Sequence, residues 1–342
     1  ASLAIVDASI HDRSSFLRQL ADAVRSLRVG PASDPATEVG PVVGPMTAAL
    51  KRALTELDDG ERWMVAPRLV DEGARLWSPG VRLGVAPGSW AHRTEWFGPV
   101  LGVMRAPSLD DAIAWQNAVD YGLTAGLAST DPDEHARWAR AVEAGNLYVN
   151  RTTTGAIVGR QAFGGWKRSA WGPTAKAGGP NYLAALSRWR DAQPMPPADV
   201  EASYRRWWRQ AGSRATEMAG LASESNELTY HPLPGVVCRI GPGASGDQLA
   251  RARLAAAVTG TPLRLSGPDG QAADDAVAEA AAGGWRIRVV GGSEPRLLAA
   301  AAEAGVAVLD APILACGRVE LPRWLREKIT TRSRHRYGNV VY

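Results

Sequence analysis

The chain has 342 residues, 45% hydrophobic and 22% charged, enough apolar material to build cores in two domains of ordinary size. That composition excludes disorder of the whole, and no uninterrupted apolar run reaches the roughly 18 residues that a membrane span needs. Two cysteines exclude a disulfide scaffold, a zinc ribbon and an iron–sulfur cluster, and a net charge of +4 from 39 basic and 35 acidic residues is too small to predict nucleic-acid binding.

In chain order, residues 2–6 read as a short strand and 11–27 as an amphipathic helix with Phe16, Leu17, Leu20, Ala23, Val24 and Leu27 on one face. The N-terminus has no basic region before an apolar core and enters a strand at once, which reads as a start inside a domain rather than a signal peptide. A turn-rich stretch from Gly30 to Val42 precedes helical spacing over 46–57, and strand-like runs follow at 62–66, 81–85 and 100–104. Helix 109–119, strand 124–129, helix 132–143 and strand 146–149 then alternate, which predicts a parallel α/β sheet. Residues 151–182 form a long glycine-heavy loop, a feature usually tied to function. Gln193-Pro194-Met195-Pro196-Pro197 is a linker signal, and 199–214 reads as a helix. A second α/β unit starts near 235, with strands at 236–240, 262–265, 286–290 and 307–309 and helices at 248–258, 272–282 and 295–304. The chain closes with 321–329 and a polar tail.

Glu95-Trp96-Phe97-Gly98-Pro99-Val100, just ahead of a strand, is the sharpest local feature. A carboxylate offers two oxygens to the hydroxyls of a ribose, and a phenyl ring can wall a flat nicotinamide; the plainer reading is a surface acid beside a core phenylalanine. Asn146–Arg151, Thr154–Gly159 and Phe163-Gly164-Gly165 place small residues after a strand, where backbone N–H groups can converge on a carboxylate; an ordinary loop is the alternative. Gly241-Pro242-Gly243-Ala244-Ser245-Gly246 has the spacing of a dinucleotide fingerprint. Pro242 removes an N–H, and no acid ends the next strand, since Asp269 lies farther into the loop; a tight strand-to-helix turn accounts for it better. Cys238 lies inside an apolar strand, Cys316 has no histidine near it in sequence, and the five histidines are scattered. No catalytic residue and no metal site is therefore assigned within the chain. The basic run Arg332–Tyr337 reads as a solvated or subunit-contacting tail rather than a nucleic-acid site.

Taken together, Glu95–Val100, Gly145–Arg151, Gly155–Gly159, Gln161–Gly165 and Lys176-Ala177-Gly178-Gly179-Pro180-Asn181-Tyr182-Leu183 resemble the aldehyde dehydrogenase superfamily. Within it they look like the L-glutamate γ-semialdehyde (Δ1-pyrroline-5-carboxylate) dehydrogenases, over about residues 1–190, and the Asp34-Pro35…Thr37…Val39-Gly40-Pro41 turn agrees. The remainder, including His335-Arg336-Tyr337-Gly338-Asn339, is similar to the C-terminal extension of bifunctional proline utilisation proteins, which fuse a flavin-dependent proline dehydrogenase to the aldehyde dehydrogenase.

This resemblance implies an α/β fold: the C-terminal part of an aldehyde dehydrogenase catalytic domain at 1–190, a linker and helix at 191–234, and a Rossmann-like accessory domain with its tail at 235–342, binding no dinucleotide. It implies NAD as cofactor, with FAD confined to the proline dehydrogenase part, Glu95 on the nicotinamide ribose and Phe97 beside the ring. It implies that Gly155 and Ala156 offer N–H groups to the α-carboxylate of glutamate γ-semialdehyde and that Phe163 lines the aldehyde tunnel. Ala162 stands where the family usually has proline, implying a less rigid loop, and 180–186 is the strand expected to join the subunits of a homodimer. The family chemistry needs a cysteine thiolate and a glutamate base, which the resemblance places upstream of Ala1 with a Rossmann domain and the proline dehydrogenase domain. The expectation is thus a piece of a cytoplasmic enzyme, inactive by itself. The alternative is a non-catalytic binding or assembly module that keeps the fold.

Overall fold

The computed structural model describes residues 2–170, 175–267, 270–336 and 339–340. The chain divides into two units, Ala1–Asp120 with Ala136–Val142, and Tyr121–His135 with Glu143–Tyr342.

In the first unit, β1 (Leu3–Asp7), β2 (Arg62–Val65), β3 (Gly80–Leu83) and β4 (Val100–Ala106) form one sheet in the order β1-β4-β3-β2. The β1–β4 and β4–β3 pairs are parallel and β3–β2 is antiparallel. Side chains alternate across a strand, so Val81 and Leu83 of β3 meet Leu17, Leu20 and Val24 of helix α1 (Ser14–Ser26) on one face. The other face packs Leu50, Ala53 and Leu54 of α2 (Ala48–Thr55) against Val85, Trp96, Val100 and Met104. The helix predicted over 11–27 is two pieces: Asp7 caps a first turn, Ala8–His11, by accepting the Ser9 N–H, and a break at Asp12–Arg13 precedes α1. Helix α3 (Leu109–Asn117) is capped by Ser108.

The second unit contains β5 (Thr124–Leu127), β6 (Asn146–Val149), β7 (Thr216–Glu217), β8 (Glu224–Pro232), β9 (Val236–Ile240), β10 (Leu263–Ser266), β11 (Arg286–Val290), β12 (Val308–Leu309) and β13 (Leu325–Ser333). Four of these, in the order β10-β9-β11-β12, make an all-parallel sheet with the Rossmann-like layout expected of the C-terminal region. On one of its faces Val236, Cys238 and Val290 pack on α5 (Gly246–Thr259) and on α4 (Pro197–Trp207); on the other, Val237, Ile287 and Val289 pack on α6 (Gly270–Gly283) and α7 (Pro295–Glu303). The remaining five strands form a mixed sheet in the order β7-β8-β13-β6-β5. Its β8–β13 pair runs antiparallel over nine residues, whereas β13, β6 and β5 are parallel.

Hydrophobic alternation announces neither β8 nor β13. Both carry polar side chains at buried positions: Ser225 and Asn226 on one, Glu327, Lys328, Thr330 and Thr331 on the other. The strand expected over 180–186 is corrected by the structure, which has a helical turn, Tyr182–Ala185, there. Just before it, Asn181 commits its side chain to Glu327 at 2.6 Å and to the Tyr230 hydroxyl at 2.8 Å. Beside β6 the sheet is continued by β13 of the same chain.

The fingerprint-like turn is closed by the loop that follows β11. Gly292 N–H donates to the Pro242 carbonyl at 2.7 Å, Ser245 caps α5 through the Gln248 N–H, and the crevice beyond the strand ends holds an Arg239–Glu294 ion pair at 3.0 Å. This agrees with a tight turn rather than a phosphate cradle.

Glu320 ties the parallel sheet to the segment that leads into β13. It is fully buried and accepts from Arg288 of β11 at 3.2 Å, Arg323 at 3.1 Å, the Trp324 indole at 3.0 Å and the Leu314 N–H at 3.1 Å. Removing one member of a buried pair leaves the other charge uncompensated, so Glu320→Ala should destabilise the second unit by about 3–5 kcal/mol in urea unfolding. A loss below about 1 kcal/mol would show the network contributes little.

Candidate functional site

Glu95 and Phe97 flank Trp96 on a turn between the helical turn Trp90–Arg93 and β4. Trp96 is buried, stacks on Trp90 with ring centroids 5.7 Å apart, and donates its indole N–H to the Val100 carbonyl at 3.3 Å. Behind it the Arg82 guanidinium lies 5.6 Å from the Trp96 ring and 5.2 Å from Trp63. Arg82 is held by Glu61 at 3.2 Å and by the carbonyls of Ala53 and Glu56. With Trp96 locked inward, its neighbours must face out: Glu95 is exposed, and Phe97 is 72% exposed at a φ of +49°. A bulky residue in the left-handed region is strained, by about 1–2 kcal/mol, and such strain gathers at functional turns. Gly98 allows the turn because the Leu50 side chain fills the space where a Cβ would stand.

Gly155, Ala156 and Phe163 lie in the second unit, on the segment that leaves β6. Gly155 has a φ of +81° and no atom within 4 Å of the place a Cβ would occupy, so its backbone is open to approach. Asn146, at the start of β6, holds Ala162, Gly164 and Lys176 together. Its Nδ2 donates to the Ala162 carbonyl at 3.1 Å, and its Oδ1 accepts from the Gly164 N–H at 3.1 Å and from Lys176 Nζ at 3.0 Å. Phe163 and Ala177 exchange both backbone hydrogen bonds at 3.0 Å. The looseness expected from Ala162 is offset, since Ala162 packs on Leu228 and Ile329. Gly145 is required here, because the Gly164 carbonyl fills its Cβ position.

Lys176 also donates to the Gly164 carbonyl, and its N–H donates to Glu327 Oε2 at 3.2 Å. Burial pushes the amine down to about 7 against the opposing pull of Glu327, while burial holds the Glu327 carboxyl above the ordinary range. Lys328, beside the Trp166 ring at 4.5 Å, is likewise lowered by burial to about 7.

Asn146 and Lys176 were visible in motifs but without a role; Glu224, Asn226 and Glu327 carried no signal, lying in strands whose buried positions are polar. The structure thus places the two expected groups in different units, Glu95 and Phe97 in the first, Gly155, Ala156 and Phe163 in the second. Among the described residues no cluster of three or more His, Cys, Asp or Glu is arranged to hold a metal ion, and no helix is long and apolar enough to cross a membrane.

The sequence profile of the aldehyde dehydrogenase family matches residues 1–191. The chain belongs to the aldehyde dehydrogenase family. It is 33% identical over 185 residues to a 1-pyrroline-5-carboxylate dehydrogenase of Geobacillus sp., covering 53% of this chain and 35% of that protein. It is also 33% identical over 186 residues to 1-pyrroline-5-carboxylate dehydrogenase 2 of Halalkalibacterium halodurans, covering 54% and 35%. The chain therefore spans about a third of the length of these curated relatives. Among solved structures, proline utilization A from Corynebacterium freiburgense matches 99% of this chain with a TM-score of 0.86 and 39% identity, over 36% of its own length. That likeness includes the residues beyond 191, where the family match ends.

The lowered lysines give the second unit a pH signature. The unfolded chain holds protons on Lys176 and Lys328 up to the ordinary 10.5, the folded chain only to about 7, so stability should rise with pH between those values. Lys176→Met should flatten the rise by up to about 1.4 kcal/mol per pH unit in urea unfolding across that window. An unchanged slope would mean that Lys176 stays charged when folded.

Proposed function

We propose that this chain is part of an NAD-dependent L-glutamate γ-semialdehyde dehydrogenase, which oxidises the semialdehyde to glutamate within a bifunctional proline-catabolic enzyme. The observation that carries the reading is the likeness of the whole chain to a proline utilization A, at 39% identity. The relatives named 1-pyrroline-5-carboxylate dehydrogenase support the same substrate class. The reading extends to a cytoplasmic homodimer with upstream Rossmann and flavin-dependent proline dehydrogenase domains. The parts are assigned as the catalytic-domain portion at 1–190, a segment at 191–234 that carries α4 and the strands β7 and β8, and a C-terminal part at 235–342 with the Rossmann-like sheet, from which β13 returns to the mixed sheet.

The residues suit their roles. An exposed carboxylate and an exposed phenyl ring, two residues apart on a rigid turn, offer two acceptor oxygens and a flat apolar face, which fits a nicotinamide riboside. NAD, when bound, supplies the hydride acceptor. Glu95 holds the ribose hydroxyls and Phe97 limits the ring's freedom. The N–H groups of Gly155 and Ala156 bind the substrate α-carboxylate, for which the open backbone at Gly155 leaves room. Phe163, 36% exposed, walls the path of the aldehyde.

The nucleophile is assigned to residues outside this sequence. No cysteine lies within the family-matched residues, and Cys238 is buried with its thiol pushed up to about 11. The purified 342-residue chain should therefore form no NADH from glutamate semialdehyde in a spectrophotometric assay of NADH formation. In the parent enzyme, Glu95→Ala should raise the KM for NAD about tenfold while leaving the KM for aldehyde in place. NADH production by the short chain alone, or an unchanged KM for NAD, would sink the corresponding assignment.

A further inference from the structure

The loop from Arg151 to Gln161 carries Gly155 and Ala156, and both of its ends are bonded to one short stretch of β8. At the exit, Gln161 is buried; its Oε1 accepts the Ile157 N–H at 2.9 Å and its Nε2 donates to Asn226 Oδ1 at 2.9 Å. Asn226, fully buried, also receives the Thr331 hydroxyl at 3.0 Å and donates to Glu224 Oε1 at 3.0 Å. At the entry, Arg151 donates to Glu224 Oε2 at 2.6 Å, and Arg160 lies 3.8 Å from Glu224 Oε1. Apolar burial does little to hold the span between, where Val158 is 91% exposed. The polar clamps at each end therefore set its shape. Thr331 pairs across the sheet with both Asn226 and Tyr148, so strand, loop and clamp close into one ring.

We propose that Glu224 and Asn226 are positioning residues for the loop. They hold its N–H groups ready for a carboxylate, so that affinity for carboxylate-bearing aldehydes is set by a strand beyond the aldehyde dehydrogenase match. The inference rests on the carboxylate-binding role proposed for Gly155 and Ala156. A buried acceptor or donor left without its partner is costly, so the clamp tolerates little change in its pattern of donors and acceptors.

Asn226→Asp tests it with almost no change of volume. The new carboxylate still accepts from Gln161 and Thr331 but loses the donor to Glu224 and repels it. Glu224→Gln with Asn226→Asp restores a donor facing an acceptor, with the charge moved by one partner. In the 342-residue chain, hydrogen exchange should quicken at the amides of Ile157, Arg160 and Gln161 in the single variant and return in the pair. In the parent enzyme the single variant should raise the KM for glutamate semialdehyde about tenfold, with kcat little changed. Turnover of butanal, which has no carboxylate, should stay as it was, and the paired variant should recover the KM. Equal losses on both aldehydes, or unaltered exchange at those amides, would overturn the proposal in favour of a purely structural role. A wild-type enzyme with no preference for the semialdehyde over butanal would instead defeat the proposed dehydrogenase function, a result read independently of the exchange data.

Discussion

The polar seam of the second unit's mixed sheet is the constraint on which the rest depends. Asn146, Asn226, Glu327 and Thr331 are buried at the centre of that sheet, and buried polar groups must be hydrogen-bonded. Thr331 is satisfied within the sheet by Asn226, and the other partners come largely from residues 161–164 and 176–181. Asn146 and Asn226 take up the residues around Gln161 to Gly164, while Glu327 takes the Lys176 N–H and the Asn181 side chain. A loop rich in glycine loses much conformational freedom on ordering. Here that cost is offset by directional bonds together with the apolar burial of Ala162 and Trp166.

The first unit solves a similar problem differently. Trp96 is driven inward by burial and by the Arg82 guanidinium, itself wedged between tryptophans and paired with Glu61. Because adjacent side chains cannot all point inward on a tight turn, Glu95 and Phe97 are presented outward. A buried ion pair of this kind adds little net stability, yet it demands one arrangement of its neighbours. The exposed pair inherits that definition.

The parallel sheet β10-β9-β11-β12 was legible because its strands are short apolar runs separated by helical periods. So was the turn at Gly241–Gly246, where Pro242 argued against a phosphate site and the structure closes the turn on Gly292. The strands β8 and β13 were not legible. ESNELTYHP and LREKITTRS lack the apolar alternation by which strands are read, since their inward positions are filled by polar groups that meet only in three dimensions. At 180–186 the strand came from the family resemblance, and the structure has a helical turn, Tyr182–Ala185, in its place.

Local chemistry determined the features that the sequence could reveal by itself: helical and strand periods, the small residues that open the backbone at Gly155, the outward pair beside Trp96, and motifs dense enough to mark the family. These depend on neighbours within a few residues. Only the tertiary structure decided that β13 lies beside β6 and that Glu224 and Asn226 grip both ends of the glycine-rich loop. Hydrogen bonds between residues far apart in the chain leave no periodic trace, because each polar side chain looks solvent-exposed until the fold supplies its partner.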